Sequence, residues 1–219
     1  MKRFLLAGVA ALALTGSATA ADLMYPAPPL APGPLYSPLY NWTGFYVGIN
    51  GGGGWGGSNW DGIDSFSVSG GVVGLTGGYN FQINRFVVGI ETDIDWAGIK
   101  GSTSGCLFGC DTRNAWLGTI RGRFGYAFDR FLPYLTAGVG LGDIRATRTY
   151  FPGGSYTNAG WALGGGLEVA IFGSAFTAKV EYLYVGLGDF NCGLNCGLLP
   201  NSNVSYYANL LRGGINVRF

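Results

Sequence analysis

Two sets of residues have the types and spacings to do chemistry. The first is thiol: Cys106 with Cys110, and Cys192 with Cys196, each pair enclosing three residues that include glycine. Four such thiols could oxidise to disulfides or hold a zinc ion. The second set is ionic. Glu91, Asp93 and Asp95 fall at every second position, Arg121 and Arg123 repeat that spacing, and Glu168, Lys179, Glu181, Arg212 and Arg218 follow later in the chain. Carboxylates and cations together can do acid–base work, or simply neutralise one another. The chain contains no histidine, which removes the commonest general base and the usual nucleophile–base pair. An enzyme is therefore not expected, and neither is a metal or another cofactor.

The elements that carry the charges decide what they are for. In Phe86–Ala97, the residues Phe86, Val88, Ile90, Thr92, Ile94 and Trp96 share one alternation phase, and Glu91, Asp93 and Asp95 share the other. Period two means a strand with one oily face and one ionised face. The next such segment, Asn114–Phe128, puts Trp116, Ile120, Phe124, Tyr126 and Phe128 on its oily phase and Arg121 and Arg123 on the other. A hairpin of the two would set acids and bases on a shared face, where opposite charges support pairing. The register, and hence which acid meets which base, stays open.

The 219 residues are 48% hydrophobic and only 11% charged, against about 25% charged in ordinary soluble domains. Yet no apolar run approaches the ~20 residues of a membrane-spanning helix. A net charge of +1 offers no reason to expect a nucleic acid partner. Residues 1–20 read as a cleaved secretory signal peptide: Lys2 and Arg3, the apolar Phe4–Leu14, then Ala18-Thr19-Ala20. Residues 21–41 hold six of the nine prolines and read as an extended, polyproline-like linker. Export exposes the cysteines to an oxidising compartment, so local disulfides Cys106–Cys110 and Cys192–Cys196 are favoured over a four-thiolate zinc site.

From 42 to 219 the chain offers eight alternating segments: Phe45–Trp55, Val72–Gln82, Phe86–Ala97, Asn114–Phe128, Phe131–Leu141, Asn158–Ile171, Phe176–Gly186 and Ser205–Phe219. Short turns alternate with long connections (56–69, 98–112, 142–157 and 187–204), so one end of the sheet is trimmed and the other elaborated. That asymmetry, with an even strand number, marks an eight-stranded antiparallel up-and-down transmembrane β-barrel. Charge placement agrees with it. Every strand-borne charge named above lies on the less apolar phase, and an Arg or Lys facing lipid at the midplane costs ~2–4 kcal/mol. A soluble up-and-down barrel would invert the pattern, with an oily interior and a far more charged exterior. Asn209 falls on the oily phase of the last segment, a blemish in the pattern.

The runs NWTGFYVGINGGGGWG (41–56), WLGTIRGRFGYAFDRFLPYLTAGVGLG (116–142) and KVEYLYVGLGD (179–189), with the ending GGINVRF, resemble the small outer-membrane β-barrel proteins of alphaproteobacteria. These porin-family or immunogenic surface proteins are related in fold to the transmembrane domain of outer-membrane protein A. The resemblance spans nearly the whole mature chain, and its motifs are fold motifs rather than catalytic ones. It implies a Gram-negative outer-membrane location, periplasmic termini, lipid and lipopolysaccharide as surroundings, and a last strand ending in Phe219 that signals to the barrel-insertion machinery. An eight-stranded interior is just wide enough for side chains to fill, so a structural barrel with a plugged lumen is expected. The alternatives are a small-solute channel and a surface adhesin or heme-like ligand binder. Surface binding would use loop aromatics such as Trp60, Phe66, Phe108, Tyr150 and Phe151, whose expected role is instead loop packing or an interfacial aromatic girdle.

Overall fold

The computed structural model describes residues 40–60, 64–104, 109–148, 150–151, 153–172, 175–191 and 203–219. The segment 1–39, with the expected signal peptide and most of the proline-rich linker, lies outside the described residues. Eight strands follow one another: β1 (Gly44–Trp60), β2 (Asp64–Ile83), β3 (Phe86–Thr103), β4 (Cys110–Tyr126), β5 (Phe131–Arg148), β6 (Gly154–Phe172), β7 (Phe176–Asn191) and β8 (Asn203–Arg218). Each pairs antiparallel with its sequence neighbours, and β8 returns to β1 to close the barrel. Closure leaves no strand edge, which a spanning sheet requires because hydrocarbon cannot satisfy free backbone groups.

Short turns close one end. Asn84, at φ 57°, and Asp129, at φ 55°, take the left-handed conformation that tight hairpins demand and that Asn and Asp tolerate. Outward, the oily phase stands exposed as the sequence pattern predicts, Leu135 at 69% and Ile94 at 50%, and in place that surface meets lipid. Asn209 on this face is satisfied: Tyr182 donates its hydroxyl to Asn209 Oδ1 at 2.6 Å, and Asn209 Nδ2 donates to the Trp55 carbonyl at 3.3 Å. A polar group bonded this way adds little cost to a membrane face.

The strands overrun the expected bounds at the elaborated end. The stretch 56–69 is nearly all strand, with only 61–63 between β1 and β2, and 98–112 contributes to both β3 and β4. Strands of 16 to 20 residues exceed the ~9–11 that cross a bilayer, so paired ribbon continues beyond it. The extension is stabilised from inside. Trp60, Val68, Ile99, Cys110, Ile144, Val204 and Tyr206 pack into one buried apolar cluster. Outside, Ser and Gly replace the aliphatics, which hides the strand pattern. Bulges interrupt the ladders between Trp96 and Ile99, Asn114 and Leu117, and Gly186 and Asp189.

Candidate functional site

The lumen is layered, and its register explains each layer. At the short-turn end, Trp42 is fully buried with Tyr40, Val87, Ala127, Leu132 and Ala170. Trp42 Nε1 donates to the Asp129 carbonyl at 2.9 Å, and its backbone N–H donates to Gln82 Oε1 at 2.7 Å. Arg218 donates to the carbonyls of Asn41 and Thr43 at 2.9 and 3.2 Å and lies over the Tyr40 and Trp42 rings. Tyr40 and Asn41, the last residues of the expected linker, thus rest against the barrel mouth.

Above this cap is the charged layer. Glu91, Asp93, Asp95, Arg121, Arg123, Glu168, Lys179, Glu181 and Arg212 are all buried on the inner face. The register left open by the sequence sets Glu91 opposite Arg121 and Asp93 opposite Thr119. Arg121 binds Glu91 at 2.7 Å and Asp93 at 2.5 Å on β3, then reaches across to Glu181 on β7 at 3.0 Å. Arg212 on β8 binds Asp95 and Glu181, both at 2.5 Å, with Asp93 at 3.4 Å. Lys179 donates to Glu91 at 3.0 Å. Below them Arg123 pairs with Glu168, which also accepts from Thr177 at 2.5 Å and Asn216 at 3.0 Å. Its guanidinium stacks 3.7 Å from the Tyr134 ring centre.

Neutral residues of the same inner phase complete this network; alternation places them inside but does not name the acid each one meets. Tyr46 and Tyr134 donate to Glu91 at 2.8 Å and Glu181 at 3.0 Å, and Thr76 and Thr119 to Asp93 at 2.7 and 2.9 Å. Glycine makes room for the rings. A Cβ on Gly78 would fall 2.5 Å from the Tyr46 ring, and one on Gly166 would fall 2.8 Å from the Tyr134 hydroxyl. Polar groups in the inner phase opposite aliphatics were the available signal. Five carboxylates face four cations here, and each carboxylate touches a cation. Burial of charge is tolerable only under such pairing.

Next comes the apolar layer described above, in which Leu117, Ala162, Leu183, Val185, Leu187 and Leu210 continue the packing of Ile99. It takes two of the aromatics away from the surface-binding alternative. Trp60 is no surface aromatic; it lies inside at 1% exposure and donates to Thr112 Oγ1 at 3.2 Å. Phe66 is partly buried against the same cluster. Tyr150 and Phe151 do stand exposed, and Phe108 lies outside the described residues. Cys110 is buried in the cluster and is not a free thiol; Cys106, Cys192 and Cys196 lie outside the described residues. No group of three potential metal ligands occurs among the described residues.

A closed antiparallel barrel agrees with the family that the sequence matches. Residues 7–219 match the family described as outer membrane protein beta-barrel domain. The chain belongs to that family. Among relatives of this outer-membrane barrel, the 31 kDa outer-membrane immunogenic protein of Brucella melitensis is 35% identical, with all of both chains covered. The 22 kDa outer membrane protein of Rhizobium leguminosarum is 32% identical over 83% of this chain and 80% of its own. Among solved structures, Neisserial surface protein A covers 81% of this chain and 98% of its own at 18% identity, with a TM-score of 0.49. Membership places the barrel in the Gram-negative outer membrane.

Proposed function

We propose that this outer-membrane barrel is a structural envelope protein with a closed lumen, which presents its elaborated end to the outside of the cell. One observation carries the reading: Arg121, with no exposed surface, spans from β3 to β7. A guanidinium fixed across the bore leaves no room for a solute path, and the apolar layer and the Trp42 cap flank it on either side. The reading assigns the barrel no catalytic role. Residues 1–20 serve as the cleaved signal peptide and 21–41 as the periplasmic linker. Phe219 ends the alternating last strand and donates its backbone N–H to the Phe45 carbonyl at 2.9 Å; it acts as the assembly signal. Cys106 pairs with Cys110, and Cys192 with Cys196, to shape the outer loops.

Efflux from proteoliposomes tests closure. Vesicles loaded with a pentose or glycerol and carrying the folded barrel should leak no faster than protein-free vesicles. Efflux that rises in proportion to barrel density would favour the small-solute channel instead.

A further inference from the structure

The chain's cations are distributed unevenly at the elaborated end. Of thirteen Lys and Arg residues, two lie within residues 1–20, four face the lumen, and Arg85, Arg130 and Arg218 hold the short-turn end. The remaining four, Lys100, Arg113, Arg145 and Arg148, all lie on β3, β4 and β5. Three of them form a single row. Lys100 pairs with Arg113 in the β3–β4 register, and Arg113 pairs with Arg145 in the β4–β5 register. All three side chains are exposed. Like charges directly opposite on neighbouring strands oppose pairing, so the fold carries this row at a cost.

The bulge in β4 creates the row. On the membrane side of it, Leu117, Thr119, Arg121 and Arg123 face inward at odd positions; beyond it, Asn114, Thr112 and Cys110 face inward at even ones. Without the shift between Asn114 and Leu117, Arg113 would point into the apolar upper lumen. Bulges commonly re-aim a side chain in this way. Lys100 and Arg113 have no ion partner among the described residues. Arg145 uses its Nε on Asp143 at 3.0 Å, and Ser155 holds the other Asp143 oxygen at 2.7 Å. The Arg145 side chain stays 60% exposed. A groove of about 640 Å³ runs between the three cations, lined also by Ser102, Thr147 and, on its loop side, the exposed Asp111.

Height fits one kind of ligand. The facing Trp96 and Trp116 mark the aromatic belt of this wall. Lys100 lies four residues farther along β3, which is ~13 Å of strand, or ~10 Å along the membrane normal at a ~40° tilt. That is where the headgroups of the outer leaflet lie. The row points sideways into that layer rather than upward from the loops. We propose that Lys100, Arg113 and Arg145 form a docking site for the phosphate groups of a phosphorylated outer-leaflet glycolipid, which offsets their mutual repulsion and fixes one wall of the barrel against its lipid.

The test uses the full mature chain folded in neutral detergent, with binding of diphosphorylated lipid A, dephosphorylated lipid A and heparin followed by native mass spectrometry. Lys100→Ser/Arg113→Ser should bind diphosphorylated lipid A roughly 10- to 30-fold more weakly. Arg85→Ser/Arg130→Ser, at the opposite end, should bind like the parent. Lipid-free thermal unfolding separates this from misfolding: the Lys100/Arg113 variant should melt at or above the parent temperature, because repulsion is relieved. Equal binding of both lipid A forms, equal binding by the variant, or a preference of the parent for heparin would each overturn the proposal. So would a lower melting temperature of the variant without lipid.

Discussion

Replacing Arg121 by Met keeps an unbranched apolar stem and removes the guanidinium, with its charge and its bonds. The guanidinium now serves Glu91, Asp93 and Glu181 at 2.7, 2.5 and 3.0 Å. Removing one partner of a buried pair typically costs ~3–5 kcal/mol. Three orphaned acids would suggest more, but the neighbours share the load: Lys179 and Arg123 also approach Glu91 at 3.0 and 3.6 Å, and Arg212 holds Glu181 at 2.5 Å. The expected loss is therefore at the lower end, about 3 kcal/mol. Urea unfolding in lipid vesicles, followed by tryptophan fluorescence, reads it. Glu181→Gln placed on Arg121→Met removes one of the carboxylates that lost Arg121 as a partner, so the double variant should lose less than the two single losses together, with a coupling of ~1–3 kcal/mol. A loss under about 1 kcal/mol for Arg121→Met, or strict additivity, would refute the claim that this residue neutralises the lumen.

Three further outcomes follow from the same geometry. Ile94→Arg puts a cation on the lipid face at a cost of ~2–4 kcal/mol and should sharply lower outer-membrane yield, whereas Thr92→Val should not; equal yields would contradict the facing. Gly78→Ala sets a Cβ 2.5 Å from the Tyr46 ring and 2.6 Å from the Ile90 carbonyl. It should destabilise the barrel by ~1–3 kcal/mol, and an unchanged urea midpoint would show that the ring can retreat. Deleting Phe219 should slow assembly, read as accumulated periplasmic precursor in a pulse–chase; parent-like kinetics would remove its role as a signal.

Much of the barrel was legible because lipid imposes a severe rule. Ile90, Ile94 and Trp96 had to share a phase that Glu91, Asp93 and Asp95 could not enter, so facing followed from alternation alone. What escaped has physical causes. The strand extensions lie where the exterior is no longer lipid, so Ser65, Ser67 and Ser69 look like loop while Val68 packs inside. Trp60 read as a loop residue for the same reason. The bulge in β4 inverts the phase at Ala115–Trp116, and no residue type announces that. Partner choice in the lumen depends on register, which alternation does not specify: Arg121 could have met Asp93 or Asp95 squarely instead of Glu91. Alternation put Tyr46 and Tyr134 on the inner phase of their strands, but not that they would bond Glu91 and Glu181.

Single-channel recording in planar bilayers bears most directly on the central claim, that ion-paired side chains fill the bore from wall to wall. The folded chain at neutral pH should insert without steady, voltage-independent current steps. Reproducible ohmic steps, their size scaling with salt concentration, would mean that ions pass Arg121 and that the lumen is not closed.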